Sequence, residues 1–151
     1  MSTDNLGKLE NRVQLKLLSV PENIGLCRVV VASVAARKDL TLNELEEIKV
    51  AVSEAVSNAI IHGYDNNPDG IIFLEVKRFE KGLEILVEDK GKGIEDVEKA
   101  IEPAYSSNPE RIGLGFVFMK SFMDRVEVDS RVGEGTRVRL VKKWPANGEE
   151  G

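Results

Sequence analysis

Two pairs of apolar segments, each pair split by a few turn residues, constrain this chain more than any other feature. Ile71–Phe79 and Leu83–Glu88 flank Glu80-Lys81-Gly82, and Arg125–Asp129 and Thr136–Lys142 flank Arg131-Val132-Gly133-Glu134-Gly135. Such runs, divided by a short glycine-containing stretch, predict β-hairpins. A further alternating run, Arg12–Leu17, predicts a first strand. Strands joined this closely must pair antiparallel, because a parallel neighbour needs a long crossover. Helical patterns fill the remaining sequence. The order is strand, two helices, two strands, two helices, two strands. It predicts an α+β fold: a two-layer α/β sandwich with a largely antiparallel sheet and helices on one face, not a doubly wound sheet.

The first helix is expected from Glu22, just after Pro21, to about Arg37. Thr41-Leu42-Asn43-Glu44 fits a capping box and opens a second helix from Leu42 to His62. Tyr64-Asp65-Asn66-Asn67-Pro68-Asp69-Gly70 is a dense turn signal. A short acidic helix is expected over Glu95–Ile101, then a mobile loop over 102–113 containing Pro103 and Pro109, then a helix over Leu114–Met123. The 151 residues suit one domain. It is expected over 10–145, between flexible ends at 1–9 and 146–151.

Charge and cysteine usage narrow the function classes. The net charge of −5 gives no general attraction to nucleic acid, and Arg37-Lys38 and Lys142-Lys143 read as solvated surface. One cysteine, Cys27, permits no intrachain disulfide and reads as a structural thiol. No apolar run nears the roughly 20 residues that span a bilayer, and residues 1–9 lack the apolar region of a signal peptide. The expected location is the cytoplasm, without membrane or direct nucleic-acid partners.

Four constellations carry possible chemistry. On the second helix, Glu54 and Asn58 stand one turn apart, opposite the apolar stripe Leu45, Ile48, Val52, Val56 and Ala59. Their neighbours are also apolar, which predicts a carboxylate and an amide facing a cavity. A buried carboxylate needs a compensating partner; Mg²⁺ with phosphates and water would provide one. An exposed helix face without function explains the pair equally simply. His62 cannot assemble a multi-histidine metal site alone, and helix capping or core hydrogen bonding accounts for it. Asp89-x-Gly91-x-Gly93 follows an apolar strand, where glycines admit a ligand close to the backbone and an Asp can accept from an exocyclic amine; it also reads as a tight turn. Arg111-Ile112-Gly113-Leu114-Gly115 opens a helix whose first amides favour phosphate. Gly133-Glu134-Gly135-Thr136 reads as a hairpin turn or as part of the same site.

In this order, Glu54-x-x-x-Asn58-Ala59-x-x-His62, Asp89-x-Gly91-x-Gly93, Gly113-x-Gly115 and Gly135-Thr136 resemble the motifs of the GHKL (Bergerat-fold) ATPases and kinases. Ser53–Tyr64, Val30-Val31-Ala32-Ser33, Glu47-Ile48-Lys49 and Asp124-x-Val126-x-Val128-Asp129-Ser130 are similar to one branch, the anti-sigma-F factors of spore-forming bacteria. The resemblance spans about residues 10–143. It implies a dimeric protein that silences a sporulation sigma factor and phosphorylates a serine of an anti-anti-sigma protein with ATP, cycling through ADP. It implies that Asn58 coordinates Mg²⁺ and that Glu54 is the general base. Asp89 would bind the adenine amino group, with Thr136 in support. Gly91, Gly93, Gly113 and Gly115 would shape the phosphate pocket and lid. Arg111 would reach the γ-phosphate or docked substrate, and Arg28 would help dock protein partners.

Other functions compete with this one. A nucleotide-gated binding module with little kinase activity shares every motif, and a general-stress anti-sigma kinase belongs to the same family. A histidine kinase catalytic domain would be expected to follow dimerisation helices, and a gyrase-type ATPase to precede a transducer domain; neither is evident in the sequence.

Overall fold

Thr41 and Glu44 form a reciprocal cap. The Glu44 amide donates to Thr41 Oγ1 at 3.0 Å, and the Thr41 amide donates to Glu44 Oε1 at 2.9 Å. The capped helix, α2 (Leu42–Asn58), is the central element of a computed structural model, which describes residues 5–36, 39–100 and 112–145. The other elements are β1 (Leu9–Leu18), α1 (Glu22–Ala35), a π-helical turn (Ala59–Gly63), β2 (Ile71–Phe79), β3 (Gly82–Asp89), α3 (Val97–Ala100), α4 (Ile112–Phe122), β4 (Arg125–Arg131) and β5 (Gly135–Lys143). The strands form one five-stranded sheet in the order β1-β2-β3-β5-β4. Every neighbouring pair is antiparallel.

Alternation along the strands divides the sheet into two faces. Ile72, Leu74 and Val76 of β2 and Leu83, Ile85 and Val87 of β3 point inward and are buried. Ile48, Val52 and Val56 of α2 meet that layer, while α1 and α4 flank α2. Phe116 and Met119 close the core from α4. Cys27 lies inside, fully buried, and its thiol is pushed up to about 11 by desolvation. It is therefore the inert structural thiol expected from the sequence.

The outer face is tiled with charge. Glu75 lies 3.6 Å from Arg12 and 3.7 Å from Lys77, which also reaches Glu84 at 3.5 Å. Arg139 binds Glu84 and, at 3.1 Å, Glu127. Opposite charges on adjacent strands support the pairing, and a charged face discourages association with other sheets.

The expected boundaries shift in several places. The second helix does not run regularly to His62: α-helical bonding stops at Asn58, and the chain widens into the π turn. The acidic helix starts at Val97 rather than Glu95, and Ile101 lies outside the described residues. The last helix already includes Ile112 and Gly113, so Gly113 is helical rather than part of a loop; residues 102–111 of the expected mobile loop lie outside the described residues. The start of the chain needs the largest correction. Residues 5–9 do not form a loose end. Leu6 is buried, its carbonyl accepts from the Lys81 amide at 2.8 Å, the Lys8 carbonyl accepts from the Glu80 amide at 2.9 Å, and the Lys8 amide donates to Glu80 Oε1 at 2.9 Å. The physical reason is that the β2–β3 turn exposes an apolar spot beside Gly82, and Leu6 covers it.

Leu6→Ala is expected to lower unfolding free energy by roughly 2–3 kcal/mol, measured by urea titration. An unchanged midpoint would show that this segment adds nothing to the fold.

Candidate functional site

Where α2 loosens into the π turn, a narrow cavity opens between the helical layer and the sheet. Asn58, Asp89, Gly93 and Thr136 line it together, although they come from three separate stretches of chain. Its apolar walls come from Ala55, Val87, Ile94, Phe116 and Val138. A largely apolar cleft with a few fixed polar groups is the general form of a small-molecule site.

Asp89 ends β3 on the inner side of the sheet and is 5% exposed. Its Oδ1 accepts from the Gly91 amide at 2.8 Å, and the backbone amide of Thr136 also donates to the carboxylate. Burial nevertheless dominates and raises its pKa above the ordinary aspartate value. Two close approaches hold the carboxylate in place. A Cβ on Gly63 would sit 2.9 Å from both carboxylate oxygens, and one on Gly91 would sit 2.0 Å from the Gly63 carbonyl oxygen. Only hydrogen fits at either position.

Tyr64 locks this junction from outside. Its hydroxyl donates to the Ile71 carbonyl at 2.6 Å and accepts from the Lys90 amide at 2.7 Å. One phenol thus ties the end of the π turn to the entry of β2 and the exit of β3.

Glu54 and Asn58 face the start of α4. A Cβ on Gly115 would lie 3.1 Å from Glu54 Oε1 and 3.3 Å from Asn58 Nδ2, so this glycine lets α4 pack closely against both polar groups; Glu54 itself lies outside the cavity lining. Glu54 is half-buried, and desolvation raises its pKa. Asn58 Nδ2 is buried and has no hydrogen-bond partner among the described residues, a costly condition for an amide. Turning the amide over exchanges its nitrogen and oxygen, so the position can offer an acceptor to a cation. Among the described residues no cluster of three or more His, Cys, Asp or Glu could hold a metal by itself. The donor set therefore fits Mg²⁺ brought in with phosphates, which needs only one or two protein ligands.

The remaining expected site residues are placed as follows. Gly113 is buried in the first turn of α4 but does not line the cavity. Arg28 lies on α1, near Glu46 of α2, outside the cavity lining. Arg111 lies outside the described residues. His62 is buried in the cavity wall, within the π turn rather than capping an α-helix. Sequence reasoning did not single out Gly63 or Tyr64 as site residues. Gly63 and Tyr64 adjoin the helix motif, and only the fold reveals that they meet Asp89 and Lys90.

The family profile of the histidine kinase-like ATPase domain matches residues 17–142. The anti-sigma F factor of Clostridium acetobutylicum is 49% identical over 138 residues, covering 90% of this chain and 96% of the relative. That of Clostridium botulinum strain Alaska E43 is 47% identical over 137 residues, covering 89% and 96%. The anti-sigma F factor of Priestia megaterium is 44% identical, covering 89% and 93%. Among solved structures, the RsbU and RsbW domains of a Mycobacterium tuberculosis protein superpose with a TM-score of 0.63 at 18% identity, over 91% of this chain and 33% of that one. A blue-light activated histidine kinase from Erythrobacter litoralis gives 0.53 at 21% identity, over 81% of this chain and 59% of that one. These two likenesses concern the fold alone. With the relatives' sequences and the matched domain in agreement, the chain belongs to the anti-sigma F factor family and is built on the histidine kinase-like ATPase domain.

Proposed function

We propose that this protein is an ATP-dependent protein serine kinase that phosphorylates an anti-anti-sigma protein and also binds and inhibits a sporulation sigma factor. The observation that carries the reading is the cavity lined by both Asn58 and buried Asp89, with half-buried Glu54 one helical turn before Asn58 and the two polar groups packed against Gly115. The relatives' name, anti-sigma F factor, supports the sigma-factor partner. A homodimer in the cytoplasm, with ADP as the product state, completes the proposal; no described helix is long and apolar enough to cross a membrane.

The chain's residues take distinct roles in this reading. Asp89 accepts from the exocyclic amine of adenine, and Thr136 supports it. Asn58 supplies an amide oxygen to Mg²⁺, which neutralises phosphate charge when bound with the nucleotide. Glu54 accepts the proton of the substrate serine; its raised pKa suits a base working nearer neutrality. Gly91, Gly93, Gly113 and Gly115 leave room for the phosphates. Arg111 supplies charge to the transferred phosphoryl group, and Arg28 docks a protein partner. Phosphoryl transfer asks mainly for this kind of positioning and charge.

Incubation with Mg-ATP and the anti-anti-sigma protein of the same organism is expected to add one phosphoryl group to a serine, read by intact mass. ATP binding without any mass gain would favour a nucleotide-gated binding module instead. Glu54→Gln is expected to slow transfer by about 10²–10⁴-fold while sparing ATP binding. In the unmutated protein, transfer should fall as pH falls, with the acid limb displaced above the ordinary glutamate value of 4.5. A limb at or below that value would remove Glu54 as base.

Asn58→Ala is expected to weaken Mg-dependent ATP binding by about 10–100-fold, measured by calorimetry with and without magnesium. Equal losses under both conditions would contradict a metal role. Asp89→Asn should abolish ATP binding and yet leave the unliganded protein as stable or more stable at neutral pH. The sign follows from linkage: the folded-state pKa is raised, so stability is lost as pH rises from the ordinary value through the raised one. Removing the carboxylate removes that cost. A lowered melting temperature at pH 7 would contradict this account.

A further inference from the structure

The β2–β3 ladder ends where Ile72 pairs with Asp89. Continued by one step, its register would set Ile71 against Lys90, with the Lys90 amide bonded to the Ile71 carbonyl. The Tyr64 phenol stands in that place instead. It accepts from the Lys90 amide at 2.7 Å and donates to the Ile71 carbonyl at 2.6 Å. An amide only donates and a carbonyl only accepts, so the two bonds run in one direction and strengthen each other. The ring that carries the hydroxyl has little freedom. A Cβ on Gly70 would lie 2.5 Å from the ring's Cγ, the side chain packs against the core, and the Tyr64 amide is held by the Ala59 carbonyl at 3.0 Å.

The residues on either side of Tyr64 hold the same loop. The Gly63 carbonyl accepts from the Lys92 amide at 3.0 Å, and the Asp65 carboxylate meets the Lys92 ammonium at 3.0 Å. Between these holds lies Gly91, whose amide donates to the Asp89 carboxylate at 2.8 Å. We infer that Tyr64 is a positioning residue for nucleotide binding: its hydroxyl, inserted where a ladder rung would close, keeps loop 90–92 off β2 and against the π turn. The inference rests on the ATP reading above. Tyr64 does not line the cavity, so it acts through the loop and not by touching the ligand. Without the hydroxyl, the Lys90 amide can bond the Ile71 carbonyl directly. That adds a rung to the sheet and draws the loop away from Gly63.

The test measures ATP and ADP binding by titration calorimetry, and the urea midpoint, on the full chain. Tyr64→Phe keeps the ring on Gly70 and removes only the hydroxyl. It is expected to weaken ATP and ADP by the same factor, roughly 5–10-fold, the worth of one hydrogen bond. The midpoint should barely move, because the new rung replaces the lost bonds. Leu6→Ala, destabilised far along the sheet from the cavity, should lower the midpoint and leave both affinities as they were. Gly70→Ala, which presses a methyl group into the Tyr64 ring, should weaken both nucleotides as Tyr64→Phe does, a second route should the phenylalanine variant fold poorly. A purely structural role for Tyr64 would lower the midpoint and leave both affinities intact; that result overturns the inference. So does a loss of ATP binding with ADP spared, which would place the effect at the terminal phosphate. An unmutated protein that binds neither nucleotide would overturn the nucleotide reading, and this inference with it.

Discussion

The near-contact between Gly63 and the Asp89 carboxylate is the constraint on which the rest of the site depends. It brings the helical layer against the sheet at the one place where a buried acid must stay accessible to a ligand. A regular α-helix through residues 59–63 would shift the position of Gly63 relative to β3. The π turn adds a residue to the turn, a device often found at functional sites, and the Tyr64 hydroxyl then fixes the result by bridging two backbone groups. The geometry of Asp89 is thus set by backbone packing rather than by a side-chain partner, and its unshared acceptor capacity stays available to a ligand.

Both acids of the site are poised by burial more than by charge. Desolvation raises the pKa of Glu54 and of Asp89. For Asp89 the amides of Gly91 and Thr136 oppose that rise without overcoming it. Contrast the outer face of the sheet, where Glu75, Glu84 and Glu127 each face a cation. The same residue type is neutralised by neighbours on one face and left chemically available on the other. That asymmetry separates a structural carboxylate from a working one, and composition alone hides it.

Much of this was legible in the sequence, for physical reasons. The hairpins were readable because alternation has period two and the turns carry glycine, so β2–β3 and β4–β5 fall close to their expected bounds. The α2 cap was readable because Thr41 and Glu44 satisfy each other locally. The convergence of Asn58, Asp89, Gly93 and Thr136 on one cavity followed from ordered motifs. What escaped depends on contacts distant in the chain. Leu6 looked like part of a polar tail because its partner, the hairpin turn at Gly82, lies far along the sequence. The π turn escaped because Ala59–Gly63 continues the apolar helical pattern without a break.

The buried carboxylate also shows why an acid of this kind tolerates burial at all. Asp89 costs stability while the cavity holds no ligand, and its amide partners offset only part of that cost. A ligand that donates to the carboxylate recovers the remainder, so part of the binding energy is stored in the unliganded fold as unmet desolvation. Asn58 follows the same logic with its amide, which has no hydrogen-bond partner among the described residues. A fold that fully satisfied either group would be more stable and would bind less selectively. The defects of the unliganded protein are therefore the recognition elements of the liganded one, and they lie on rigid elements, α2 and β3, where packing keeps them from relaxing into self-made bonds.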